Sequence, residues 1–230
     1  MHGASVQGVF TQALPSRATR RISPRSRTSV RTFLPICVPA DDGRPRRIGL
    51  ESKGEADCLF LTLATGQVHD VWEQAGPVAY EASDGRRRLH TFDFLFTMID
   101  GTRIADAVKP YDQAIAKGFD RELALIARAA IPGFCDKVVL FADRDYTPEA
   151  ARDARRYYYA TQNPDPEADA ALSHLCSDLH GRVQIRALSA QAGHLGGRMF
   201  GAVLRAVYAG MLRHLSRGQI TPASFVGRVE

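Results

Sequence analysis

Lysine is scarce in this 230-residue chain: Lys53, Lys109, Lys117 and Lys137 are the only four among thirty basic residues. The formal charge of +5 and the pI near 9.2 therefore rest on arginine. Basic surface favours nucleic acid because it displaces counterions condensed on phosphate, whereas an arginine excess set by coding bias carries no such meaning. Composition leaves both readings open. Acid is absent from the first forty residues, where Arg17, Arg20, Arg21, Arg25, Arg27 and Arg31 lie among Ser, Thr and Pro. Such a segment reads as a transit peptide, a DNA-binding arm or a flexible extension. It has no apolar stretch followed by a cleavage pattern, which argues against secretion. No apolar run approaches the ~18–20 residues that cross a bilayer, so no membrane partner is expected. The four cysteines, Cys37, Cys58, Cys135 and Cys176, show neither a CxxC pair nor a zinc-like Cys/His spacing. They read as reduced packing residues of a cytoplasmic protein. No Walker lysine motif, GxGxxG or Ser/His/Asp arrangement stands out.

With 45% hydrophobic and 24% charged residues, the chain has the composition of a globular protein, with length for one domain and a small second one. Residues 1–47 read as a basic, irregular extension ending in "ADDGRPRR". In "ESKGEADCLFLTLATG", Leu59, Phe60 and Leu63 recur at helical spacing, Gly66 is a stop signal, and Glu51 and Glu55 lie on one side. Short β-like runs follow: "VHDVWEQ", "PVAYEA", "RRLHTFDFLFTM" and "RIADAVKP". A helix over 112–130, a strand "KVVLFAD" and a helix opened by "TPEAARDARRYYYA" complete a mixed α/β unit over 48–162. "TQNPDPEAD" reads as a linker. Beyond it, 163–230 reads as three short helices and "QITPASFVGRV", compatible with a winged-helix module or a plain helical cap.

The stretch "RRRLHTFDFLFTMIDGTRIADAVKP", 86–110, sets one carboxylate, Asp93, between phenylalanines and ends on Lys109. Alternation puts Phe92, Phe94, Phe96 and Met98 on one face, and Asp93, Leu95, Thr97 and Ile99 on the other. His90 then falls opposite Asp93 and reads as a packing or phosphate-contacting residue. A two-residue Asp100-Gly101 loop would send Asp93 and Lys109 to opposite sides. A three-residue Ile99-Asp100-Gly101 loop, with Gly101 left-handed, sets Asp93 opposite Ala107 and Lys109 further along the same face.

An aspartate on one strand, a short turn and x-x-Lys ending the next resembles the (P)D…(D/E)xK signature of restriction-endonuclease-like nucleases. Residues 51–110 together resemble the catalytic domain of the TnsA family, the endonuclease subunit of heteromeric transposases. The matching elements are an E-S-x-x-E helix, a V-x-x-x-x-EQP-like strand, a Y-x-PDF-like strand and a closing VKP; "SPRSRTSVRTFLP" is similar to the family's basic lead-in. "GRMFGAVLRAVYAGML" and "ITPASFV" are similar to its small winged-helix-like domain. The resemblance implies a restriction-endonuclease-like mixed sheet flanked by helices, followed by a small helical winged-helix-like domain. It implies Glu55, Asp93 and Lys109 as catalytic residues. Glu55, Asp93 and the Val108 carbonyl would hold Mg²⁺, with Mn²⁺ able to substitute. The expected activity is hydrolysis of double-stranded DNA to 5′-phosphate and 3′-hydroxyl ends. It would cut the non-transferred strand at transposon ends, beside a DDE-type recombinase and an AAA+ regulator, in a cytoplasmic protein at the nucleoid when acting.

One position departs from that pattern. Ala107 stands where Asp, Glu or Gln is usual two residues before the lysine. Either Glu55 and main-chain oxygen suffice, or the nuclease is weakened or dead; Asp106 faces away by alternation. A non-catalytic DNA-binding or assembly subunit and a free-standing defence or repair nuclease are the alternatives. Among lesser candidates, Gln74 reads as a structural or substrate-positioning amide. "RRYYY", 155–159, offers aromatics that could stack on bases or pack on a sheet. "GHLGGR", 193–198, is a helix start that could take a phosphate or simply turn.

Overall fold

The computed structural model describes residues 12–20, 31–177 and 179–229. Arg21, Arg25 and Arg27 and much of "SPRSRTSVRTFLP" lie outside the described residues. Contacts divide the chain into two units, one running to Glu55 and resuming over Val68–Phe141, the other Ala56–Gln67 with Ala142 onward. Helix α1 (Lys53–Leu63) therefore begins in the first unit and ends in the second. The expected boundary at 162–163 falls within the second unit.

The stretch before residue 48 is not irregular throughout. Apolar Leu34 and Ile36 draw β1 (Thr32–Ile36) into an antiparallel pair with β2 (Arg46–Leu50). The acid-free segment around residues 14–19 is also tied down, Leu14 bridging to Arg46 and Thr19 bonding the Gln74 carbonyl.

The rest of the first unit is a four-stranded mixed sheet. β3 (Val68–Glu81), β4 (Arg87–Met98), β5 (Arg103–Val108) and β6 (Lys137–Phe141) follow that spatial order, antiparallel except for β5–β6. "VHDVWEQ" and "PVAYEA" are thus one long strand, whose register slips between Ala75 and Val78. The crossover from β5 to β6 carries α2 (Tyr111–Ala116) and α3 (Phe119–Ala130). The helix expected over 112–130 is split there because Gly118 takes φ 63, outside the helical range. Against α3, whose Phe119, Leu123 and Ile126 face inward, pack Leu95, Ala105 and Ala107. A mixed α/β sheet flanked by helices is the architecture.

The second unit is mainly helical: α4 (Pro148–Thr161), α5 (Pro166–Cys176), α6 (Ile185–Gln191) and α7 (Gly196–Tyr208). Thr147 and Asp165 cap α4 and α5 by accepting the Ala150 and Ala168 N–H groups, so the expected linker shrinks to a turn. Three short strands, β7 (Arg182–Gln184), β8 (Leu212–His214) and β9 (Phe225–Arg228), pair in the order β7-β9-β8. Strands β7 and β8 were hidden in the sequence because three residues carry no periodicity. Leu172, Ile185, Leu188, Met199, Val203 and Val226 fill this unit's core. Cys58, Cys135 and Cys176 are buried, and Cys37 is half-buried. Among the described residues no helix is long and apolar enough to cross a membrane.

Candidate active site

The β4–β5 loop decides which side chains can meet. Met98 donates its N–H to the Thr102 carbonyl at 2.8 Å, and Gly101, at φ 86, donates to Met98 at 3.0 Å. The loop is therefore the three-residue one, and the ladder runs from Thr97 opposite Arg103 to Phe94 opposite Asp106. One step further sets Asp93 opposite Ala107, with Lys109 two residues on and on the same face. There the ladder opens. The Asp93 carboxylate accepts the Val108 N–H at 2.7 Å, filling the gap between the strands. In a strand the N–H and C=O of one residue share an edge, so the Val108 carbonyl also turns toward β4.

Alternation along β4 breaks at the same point. Phe94 and Phe96 stack on one another at 5.3 Å, but Phe92 belongs with Leu95 to the core under α3 and stacks on Phe134 at 5.8 Å. The expected single phenylalanine face therefore holds for only two of the three rings. His90 is displaced with Phe92, and its ring lies 6.0 Å from Phe119, over which the Lys109 ammonium sits at 4.7 Å. So His90 lies on the lysine's side rather than opposite it. Burial first and the Lys109 charge second push its pKa down to about 4. It is a neutral packing group above that pH.

Glu55 reaches the site from the first turn of α1. The Ser52 hydroxyl accepts the Glu55 N–H at 3.1 Å, while the Glu55 carboxylate takes the Glu51 N–H at 2.8 Å and the Ser52 hydroxyl at 2.9 Å. Ser52 thus caps the helix, and Glu55 folds back onto Glu51 and Ser52 in a variant of the capping box, within range of the Asp93 charge. Only 6% exposed, its carboxyl is pushed up to about 7, chiefly by burial, with the Asp93 charge adding to it. Burial raises Asp93 too, against the Val108 N–H and the Lys109 and Arg20 charges that lower it. Burial thus favours the neutral form of both acids, with the Asp93 charge adding to it at Glu55 and the Glu51 charge at Asp93, a cost that a cation would offset.

Sequence reasoning missed Arg20. Its guanidinium grips Glu51 with two bonds of 3.0 and 2.8 Å and feels the charges of Asp93 and Glu55. Nothing local announces this, because its partner is 31 residues away. Gln74, expected to be a structural or positioning amide, lies fully buried in β3, and its neighbour Glu73 is engaged by Ser16 and the Arg17 N–H. Ala107 is buried in the core under α3, and its methyl offers no ligand.

Among the described residues no three His, Cys, Asp or Glu side chains cluster closely enough to hold a metal. Mg²⁺ does not require three: it binds through one or two carboxylates and keeps several waters for substrate phosphate. The donors present, Asp93, Glu55 and the Val108 carbonyl, are all hard oxygens and fit that ion. The other candidates fall away. Tyr158 and Tyr159 pack on Phe60 at 5.6 Å, with Tyr158 buried. At the start of α7, Arg198 is clamped to Asp165 and Glu167, which neutralises the basic group a phosphate would need. Compared with known proteins, the chain matches no family model and no curated protein sequence.

Proposed function

We propose that this protein is a Mg²⁺-dependent DNA endonuclease, with Mn²⁺ able to replace Mg²⁺, and that Asp93, Glu55 and Lys109 form its active site. The observation that carries the proposal is the convergence of these three charges at the point where β4 and β5 part. Asp93 accepts the Val108 N–H there, Lys109 lowers its pKa, and Asp93 in turn raises that of Glu55. Burial is the first cause of both rises, and a bound cation would offset that cost.

Asp93 and Glu55, with the Val108 carbonyl, would hold the cation. When bound, it would polarise the scissile phosphodiester and ease deprotonation of a water. Lys109, whose ammonium rests over the Phe119 ring and whose charge acts on Asp93, would offset the charge growing on the phosphate. Hydrolysis would leave 5′-phosphate and 3′-hydroxyl ends. The finer fold belongs to the same proposal: a restriction-endonuclease-like sheet, and a winged-helix-like second unit in which α6, α7 and the β7-β9-β8 sheet bind DNA or a partner. We also assign the protein to transposon ends, beside a DDE-type recombinase and an AAA+ regulator at the nucleoid.

A second reading has one observation behind it. Ala107 removes the usual third donor, which favours a non-catalytic DNA-binding or assembly subunit. Nicking of supercoiled plasmid in Mg²⁺ or Mn²⁺, alone and with a DDE-type recombinase added, separates the two. Metal-dependent nicking that Asp93→Ala and Lys109→Ala both lose is the expected result. Equal nicking by the variants would sink the catalytic assignment, and none under either condition would leave the assembly subunit standing.

A further inference from the structure

The amide of Gln74 is buried without company. The residue is 0% exposed, and neither its Oε1 nor its Nε2 has a hydrogen-bond partner among the described residues. A buried polar group left unsatisfied is costly and asks for an explanation. Position supplies one. Glu73 pairs with Phe94 and Ala75 with Phe92, so Gln74 is bracketed opposite Asp93. On the other side of Asp93 stands Ala107. Gln74, Asp93 and Ala107 thus form one row across β3, β4 and β5, at the level where the β4–β5 ladder opens.

The backbone at this point is held in an unusual state. Gln74 has φ 48, the left-handed region that a residue with a Cβ rarely adopts, and the register slip of β3 begins at its neighbour Ala75. Strain of this kind persists where surrounding structure enforces it and gathers at ligand sites. Here the enforcement is visible: the Gln74 carbonyl accepts both the N–H (3.2 Å) and the hydroxyl (2.6 Å) of Thr19, while Glu73 is held by Ser16 and the Arg17 N–H. The main chain is committed, and so is one oxygen of the neighbouring carboxylate. Glu73 Oε2 and both polar atoms of the Gln74 amide are not, and of these two residues it is Gln74 that lies in the row of Asp93.

We propose that Gln74 is the third side-chain donor of the site, its carboxamide oxygen serving the divalent cation from β3 in place of the acid that Ala107 lacks on β5. A side-chain amide oxygen is a neutral, hard ligand of the kind such cations accept beside carboxylates. Its Nε2 is left to donate to a phosphate oxygen of the substrate. The inference rests on the endonuclease assignment above.

The test is Mn²⁺ titration calorimetry on the full chain without DNA, comparing wild type, Asp93→Asn, Gln74→Met and Gln74→Glu, with thermal unfolding in EDTA. Methionine keeps length and packing but removes the hard oxygen. Gln74→Met is expected to lose at least about tenfold in Mn²⁺ affinity while melting in EDTA no lower than wild type. Gln74→Glu is expected to bind the ion more tightly than wild type. If Asp93→Asn loses the ion and Gln74→Met keeps it, Gln74 is no ligand although the endonuclease assignment survives. If Asp93→Asn binds as wild type does, that assignment fails and takes this one with it. Should Gln74→Met not fold, Gln74→Glu decides: affinity equal to or weaker than wild type overturns the proposal.

Discussion

Carboxylates in two parts of this molecule shift in opposite directions. Between α5 and α7, Asp165 caps a helix and is gripped by Arg198, which pulls its pKa down to about 2; Glu167 shares the same arginine and Asp169 has Arg205. At the opening of β4 and β5, Glu55 is pushed up to about 7 and Asp93 also rises, because burial first, and then nearby carboxylate charge, outweighs the bonds they accept. The first group supports its fold when ionised. The second is ionised at the fold's expense, and that expense is what a bound cation would remove. Burial alone does not make the difference: in the helical unit, buried Asp153 is also raised, yet it holds the Ile220 N–H and lies 3.7 Å from Arg156.

The contrast is broken most forcefully by substitution inside the site. Asp93→Asn should abolish both Mn²⁺ binding and nicking, whereas Lys109→Met should keep the ion and lose nicking on the order of 10²–10³-fold. Arg198→Ala should leave nicking per folded molecule unchanged. Loss of Mn²⁺ binding in Lys109→Met would mean that the lysine holds the carboxylates in place rather than serving the phosphate.

Stability should respond with opposite sign. Glu55 has a folded pKa above its ordinary 4.5, so the stability it contributes is present at low pH and lost as pH rises from 4.5 to about 7. Glu55→Gln should therefore raise the unfolding free energy of the metal-free protein at pH 8, by at most about 3 kcal/mol, while abolishing nicking. His90 runs the other way. Its pKa falls from 6.5 to about 4, so its contribution is lost as pH falls through that window. The two slopes oppose each other between pH 4.5 and 6.5. Denaturant titrations of Glu55→Gln should show stability falling toward acid there, and those of His90→Gln should show it rising.

Much of this site could be read before any coordinates. Asp-Gly after an alternating run allowed a two-residue or a three-residue loop, and the three-residue loop the chain adopts sets Asp93, Ala107 and Lys109 in register. Glu51 and Glu55 were legible as neighbours on one side of a helix, but the helix starts at Lys53, so only Glu55 lies in its first turn. Local rules failed where distant contacts intervene. Alternation misplaced Phe92 and His90 because the strand opens beside Asp93, and Arg20 was illegible because it acts through Glu51, far along the chain. The strained amide at Gln74 likewise depends on Thr19, 55 residues away.

A milder perturbation probes the capped side of the contrast. Asp165→Ala removes the oxygen that accepts the Ala168 N–H and one partner of Arg198, and should lower the melting temperature. Mn²⁺ affinity should not change. A coupled loss of both would mean that the acids of α5 and those at Asp93 are not separate devices.

The smallest effect expected is at Arg20, and it bears on whether the site has a resident cation of its own. Arg20 is bound to Glu51 and acts electrostatically on Asp93 and Glu55, so it opposes a divalent ion there. Because its side chain is 38% exposed and therefore screened, Arg20→Ala should tighten Mn²⁺ binding by no more than about fivefold. Arg20 also lowers the pKa of Asp93, so the titration belongs at pH 8, where its loss leaves that acid ionised. Arg17→Ala is the control: it loosens the same segment from Asp70 without removing charge beside Glu51, and should leave affinity unchanged. Tighter binding in both variants would mean that the segment excludes the ion by covering the site, and weaker binding in Arg20→Ala alone that the arginine positions Glu51 for it.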